Sequence, residues 1–170
     1  LRYAMTMAKE LKDMNDSRKI LTYEGIEKAI TYVEENDQKD DKVLIIFLPD
    51  CHESIAGIIA GRIREKYGKP VFILTRGEEG IKGSGRSIET YHMYEAMTAC
   101  KELFTKFGGH KMAAGLSMKE ENIPLLRKEL NDTCNLTEVD LIPRIHIDVP
   151  MPLSYADKRM AEELLVLEPF

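Results

Sequence analysis

Residues 43–75 read VLIIFL-PDCHES-IAGIIAGRIREKY-GKP-VFILT, and this stretch decides the fold. VLIIFL (43–48) is an unbroken apolar run, the pattern of a strand covered on both faces rather than one half-exposed to water. Ile55, Ile58, Ile59 and Ile63 then recur at helical spacing up to Tyr67. Gly57, Ala60 and Gly61 would let that helix lie close to a sheet. Gly68 supplies a helix stop, and Lys69-Pro70 leads into a second apolar strand, VFILT (71–75). Strand, helix and strand joined by tight turns make a βαβ unit, so the sheet is at least partly parallel. The expected class is α/β: a mixed, partly parallel sheet flanked by helices and preceded by a long connector helix.

Working outward, the first 35 residues carry apolar side chains three and four apart (Ala4, Met7, Ala8, Leu11, Met14, then Ile26, Ala29, Ile30, Val33). They read as one long helix, or two in series with a break at Asn15-Asp16-Ser17. On the other side, GEEG (77–80) is a turn, and IKGSGRSI (81–88) reads as an edge strand because glycine is costly in a strand interior. Tyr91 to Phe107 reads as an amphipathic helix stopped by Gly108-Gly109, with HKMAAGLSM a helical turn followed by a small strand. Further helices are expected over 120–134 and 155–167, with an alternating strand RIHIDV at 144–149. The implied organisation is a connector over 1–36, an α/β domain over 40–136, and the start of a further connection over 140–170.

The chain has 170 residues, 44% hydrophobic and 31% charged, enough to bury a core and too much for disorder. No apolar run approaches the ~18 residues of a membrane span. Three cysteines at wide spacing, with no CxxC pair, argue against a disulfide framework and a structural zinc site, and fit a reducing cytoplasm. The first residue is Leu1 and the chain stops at LEPF, so a fragment of a longer protein is expected. The net charge of −5 conceals a gradient. Residues 1–51 carry 8 basic and 11 acidic side chains, 52–115 carry 10 and 7, and 116–170 carry 6 and 11. A polyanion would therefore bind the middle third.

Two glycine-rich stretches in that third are the candidate anion sites. In KGSGRS (82–87), Gly83 and Gly85 would let backbone N–H groups approach an anion. Ser84 and Ser87 add hydroxyls, and Arg86 can fork onto two phosphate oxygens. The plainer reading is a tight edge turn with an exposed arginine. In FGGHKMAAG (107–115), His110 would sit at the mouth of a short helix whose N–H groups favour a phosphate. The plainer reading there is a helix stop with a capping histidine. His52 could contact a ligand, the plainer reading being a helix cap, and His92 and His146 read as ordinary histidines within patterned elements. No carboxylate cluster offers a metal centre, and no serine sits in a nucleophile elbow.

In order and spacing, CHESIAGIIAGRIREKYGKPVFILT, KGSGRS and FGGHKMAAGLSM resemble the DHH-associated domain of RecJ-type single-stranded-DNA exonucleases. GGHxxAAG is characteristic of the DHH phosphodiesterase superfamily, and SGRS with the histidine of CHES points to the RecJ branch. The family's usual small or proline residues after that first histidine are here Glu53-Ser54. AKELKDMNDSRK resembles the helix that ties the catalytic DHH domain to the associated domain, and residues 145–170 resemble the segment leading into an OB-fold domain.

The resemblance implies that Ser84, Arg86, Ser87, Gly108, Gly109 and His110 grip substrate phosphates. Arg86 and His110 would assist a reaction whose catalytic residues lie elsewhere. It further implies Mn²⁺ or Mg²⁺ in a DHH domain that this chain lacks, and no metal held by this chain. The partners would be single-stranded DNA and the protein's own DHH and OB-fold domains, with no membrane. The expected activity of the parent is 5′→3′ exonuclease action in recombination and repair, with the 170 residues alone inactive. Two alternatives remain at this point: a phosphodiesterase of short oligonucleotides or cyclic dinucleotides, and a non-catalytic nucleotide-binding module.

Overall fold

A computed structural model describes residues 2–78, 80–142 and 147–168. Helix α1 (Arg2–Glu35) leads into strand β1 (Leu44–Phe47), helix α2 (Glu53–Tyr67) and strand β2 (Val71–Gly77). Strand β3 (Gly80–Arg86) returns antiparallel to β2, and helix α3 (Met93–Ala99) follows. Strands β4 (Phe104–Gly109) and β5 (Ala113–Met118) form a hairpin, and helices α4 (Ile123–Asp132) and α5 (Lys158–Leu165) complete the regular structure.

The five strands form one sheet in the order β1-β2-β3-β5-β4. Only β1 and β2 run parallel, with Leu44 opposite Val71 and Phe47 opposite Leu74, which is the pairing a βαβ unit requires. The mixed α/β class read from residues 43–75 is therefore the observed one. Side chains alternate across the sheet. Leu44, Ile46, Val71 and Ile73 meet Ile55, Ile59 and Ile63 of α2, with Ala29 and Val33 of α1 beside them. Val43, Ile45, Phe72, Leu74, Ile81 and Leu116 point the other way, onto Met93 and Met97 of α3 and Leu126 and Leu130 of α4. Each of these wholly buried aliphatic side chains contributes about 1.5–3 kcal/mol, so the two layers fix the sheet.

Where the sheet begins, side-chain amides stand in for a missing neighbour. Gln38 donates from Nε2 to Ile45 O (2.7 Å) and accepts from Ile45 N (3.0 Å). Asn131 accepts from Val43 N and donates to Val43 O, each at 3.0 Å. Both polar faces of the β1 backbone edge are thereby satisfied.

Several expectations are corrected. Helix α1 runs straight through Asn15-Asp16-Ser17. Lys12 pairs with Asp16, Arg18 donates to Asn15, and Ser17 donates to Asp13 O, all within helical reach. KGSGRS is an interior strand, not an edge, because its glycines face crowded core. A β-carbon on Gly83 would stand 2.6 Å from Leu74 Cδ2 and 2.9 Å from Leu116, and one on Gly85 would press on Met93 and Phe72. The segment 91–107 is a seven-residue helix, a 3₁₀ turn (Lys101–Leu103) and strand β4, not one long helix. Phe104 and Phe107 are half-buried against the core from β4. Tyr155–Leu167 is likewise shorter: a 3₁₀ turn precedes α5. Of the expected strand at 144–149, residues 144–146, His146 among them, lie outside the described residues. Ile147 and Val149 are exposed and carry no strand.

Candidate functional site

Helix α2 lies over β2 and β3 but stops short of β5 and β4, leaving that part of the sheet face open. Three cross-strand rows run into it from β3. The first is Lys82–Ser117–Lys106, the second Ser84–Gly115–Gly108, and the third Arg86–Ala113, continued by the hydrogen bond from His110 N to Ala113 O (2.8 Å). Because alternate residues share a face, Lys82, Ser84 and Arg86 on β3 and Lys106 and Gly108 on β4 all present toward the open side. A cavity of about 510 Å³ lies over it, walled by Glu53, Ser54 and Ala56 of α2 and floored by Lys82, Ser84, Gly115, Ser117 and Lys106.

Arg86 lies just beyond the residues that line this cavity, beneath Gly57 in the first half of α2. Its Nη1 donates to Gly85 O (2.8 Å) and to Ser84 Oγ (3.3 Å). Gly57 of α2 leaves the room, since a β-carbon there would stand 2.8 Å from Nη2 and 3.0 Å from Ser84 Oγ. Among the described residues Arg86 has no carboxylate partner, unlike Arg76, Arg127 and Arg159, which pair with Glu120, Asp41 and Glu163. A half-buried guanidinium braced by two acceptors and without a carboxylate partner among the described residues has the chemistry to take an oxyanion.

The N-terminus of α2 forms the other wall. His52 caps it, with Nδ1 accepting from Ser54 N (3.2 Å) and lying 2.7 Å from Ser54 Oγ, as the capping reading expects. Thr75 is buried and donates to Cys51 O, locking the turn after β1 to β2. His92 caps α3 in the same manner.

The structure brings together Ser84, Arg86 and Gly108 of the expected site residues, with His110 exposed at the β4–β5 turn near the Arg86 row. Ser87 is apart from them: it is wholly buried, and its hydroxyl donates to Tyr91 O (2.7 Å). The backbone cradle expected at Gly83 and Gly85 is absent, since β3 is paired on both sides and its N–H groups are spent in the ladders. His110 stands in a hairpin turn, not at a helix mouth, because 104–109 and 113–118 are strands. Gly109 serves the hairpin: its φ is 156°, and a β-carbon would collide with Ala113 O. Gly108, by contrast, has open space above it.

Lys82, Lys106 and Ser117 were not singled out from the sequence, and Gly57 was read there only as letting α2 approach the sheet closely. The period-two series Lys82-Ser84-Arg86 and Lys106-Gly108-His110 carried the signal, but it is read only if FGGH belongs to a strand. Among the described residues no three His, Cys, Asp or Glu side chains stand close enough to hold a metal ion. No helix among them is long and apolar enough to cross a membrane.

Residues 40–136 match the family model of the DHHA1 domain. The chain is 31% identical over 171 residues to the single-stranded-DNA-specific exonuclease RecJ of Bacillus subtilis, covering 98% of this chain and 22% of the relative. It is 34% identical over 137 residues to that of Escherichia coli, covering 76% and 24%. The chain thus spans about a quarter of the length of these relatives. Among solved structures, RecJ of Thermus thermophilus in complex with Mn²⁺ superposes with a TM-score of 0.69 at 25% identity, over 97% of this chain and 24% of that one. An exonuclease RecJ bound to manganese gives 0.66 at 29% identity, over 76% and 31%. The chain belongs to the DHHA1 domain family, with RecJ-type exonucleases as its relatives over most of its length.

Proposed function

We propose that this chain is the phosphate-gripping domain of a metal-dependent 5′→3′ single-stranded-DNA exonuclease acting in recombination and repair. The observation that carries the reading is Arg86, a cation on an interior strand, braced by Gly85 O and Ser84 Oγ and lacking a carboxylate partner among the described residues. The family supports it, because its curated relatives are single-stranded-DNA-specific exonucleases. In this reading Arg86 and Ser84 bind a backbone phosphate, and the His110 imidazole reaches the same strand from the turn beside them. The Mn²⁺ or Mg²⁺ that would activate water is held outside residues 1–170, in a DHH domain reached through α1. Residues 140–170 lead toward an OB-fold domain.

The chain by itself is then expected to hydrolyse no DNA with either metal and to bind single strands weakly, releasing them with salt. In the full-length protein, Arg86→Ala and His110→Ala should each lower cleavage roughly ten- to hundredfold with the melting temperature unchanged. His110→Ala that melts earlier yet cleaves at the normal rate would overturn the assignment, since that is the behaviour of a turn residue. Preferential cleavage of dinucleotides over long single strands would favour the short-oligonucleotide alternative.

A further inference from the structure

The row Lys82–Ser117–Lys106 is unexplained by the fold. Lys82 and Lys106 both line the cavity, Lys106 from the edge strand β4, while the stem of Lys82 leans over Gly77 and also borders the neighbouring hollow of Asp50, Glu53 and Glu78. Among the described residues neither ammonium has an ion-pair or hydrogen-bond partner, whereas Lys12, Lys39, Lys128 and Lys158 all pair with carboxylates. The single carboxylate in the cavity wall is Glu53, on the opposite side. Two like charges held over one cavity repel each other, a cost that an anion between them would remove.

The floor between this row and Arg86 is glycine. Gly108 and Gly115 face each other across β4 and β5, and a β-carbon on either would meet no side chain; the nearest atom to Gly115's is Gly83 O at 3.9 Å. Their lack of a side chain is not required by packing. The Lys82 row lies ~6.8 Å from the Ser84 row, the scale on which successive phosphates follow one another along an extended nucleic-acid strand, and the Arg86 row lies one such step further on.

We propose that Lys82, Ser117 and Lys106 form a second phosphate subsite, which takes the phosphate next to the one held by Arg86 and Ser84. The nucleic acid then runs parallel to the strands, over Gly115 and Gly108. This rests on the Arg86 reading above and deepens it. The site recognises a polynucleotide by successive phosphates, so it requires more than one internucleotide link.

The test is equilibrium binding by the full-length protein in EDTA, with competition by the thymidine dinucleotide dTpdT and by a thymidine hexanucleotide. Lys82→Ala and Lys106→Ala should each weaken the hexamer about tenfold and lower its salt slope by about one, leaving the dinucleotide unchanged. Gly115→Ala should weaken the hexamer with no loss of melting temperature, because space for its methyl group exists. Arg86→Ala should weaken both ligands. Wild-type hexamer affinity in the Lys82→Ala/Lys106→Ala double variant, with Arg86→Ala still impaired, would overturn the second subsite alone. So would equal losses for dinucleotide and hexamer in the lysine variants. An Arg86→Ala protein that binds both normally would instead overturn the reading beneath it.

Discussion

Gly57 of α2 lies directly over the Arg86 guanidinium, so close that a β-carbon on it would stand 2.8 Å from Nη2. The helix surface and the strand side chain are therefore fitted to each other, and the glycine is explained by the arginine rather than by the backbone. Gly57→Ala should raise intrinsic helix stability by up to about 1 kcal/mol while pushing the guanidinium off its acceptors. The expected outcome is an unchanged or higher melting temperature with weakened oligonucleotide binding. Equal binding and a higher melting temperature would show that Arg86 tolerates displacement and is not a preset phosphate ligand.

The two serines flanking Arg86 should part company. Ser84 Oγ faces the cavity beside the guanidinium, whereas Ser87 Oγ is buried on Tyr91 O. Ser87→Ala leaves a buried carbonyl short of its donor and should cost about 1–3 kcal/mol in urea unfolding, with phosphate affinity kept in the folded protein. Ser84→Ala should leave unfolding unchanged and lower affinity. If Ser84→Ala destabilised the fold and Ser87→Ala did not, the placement of the two hydroxyls would be wrong.

Gly83 and Gly85 should behave as core residues, not as ligand contacts. Gly83→Ala drives a methyl group into Leu74 and Leu116, and Gly85→Ala into Met93 and Phe72. Overpacking of this kind costs typically about 1–3 kcal/mol. Both variants should show earlier urea midpoints than Gly115→Ala, whose methyl group meets open space. Similar midpoints for all three would contradict the face assignment of β3.

The sequence around VLIIFL and VFILT was legible because burial on both faces leaves no alternation to misread, and the helix between them begins and ends on recognisable caps, His52 and Gly68. KGSGRS misled for a physical reason. Glycine is expensive in a strand interior, so it suggested an edge, whereas here opposing Leu74, Leu116, Phe72 and Met93 fill the space that side chains at 83 and 85 would need. FGGH misled because two glycines after an amphipathic run look like a helix stop. The run from Tyr91 fits a helical period until Phe104, and only tertiary pairing with β5 makes the rest a strand. Arg86 and Ser84 stand out in the sequence by residue type, whereas that Lys82 and Lys106 share their face is legible only once 104–109 is known to be a strand.

Stability should fall above about pH 9, for reasons centred on Tyr91 and Cys100. Cys100 is buried and its thiol donates to Ala96 O (3.5 Å). Burial, with the charges of Glu102 and Glu129 adding to it, pushes its pKa up from 9.0 to about 11. Burial likewise pushes the Tyr91 phenol up, reinforced by Cys134 and Cys100, and its hydroxyl has no hydrogen-bond partner among the described residues. Both groups are acids whose neutral form the folded state favours. Below about pH 9 the folded and unfolded chains both hold these protons, and the contribution to stability is complete. As pH rises toward 11 the unfolded thiol ionises while the folded one does not, so the unfolded state is favoured progressively. For Cys100 the loss across that window is at most about 3 kcal/mol. Cys100→Ala should flatten the slope of urea-unfolding free energy against pH in that range. Tyr91→Phe should flatten its upper part and leave stability at neutral pH equal or higher, because an unpartnered buried hydroxyl is removed. Parallel slopes for wild type and both variants would show that neither group is sequestered in the folded core.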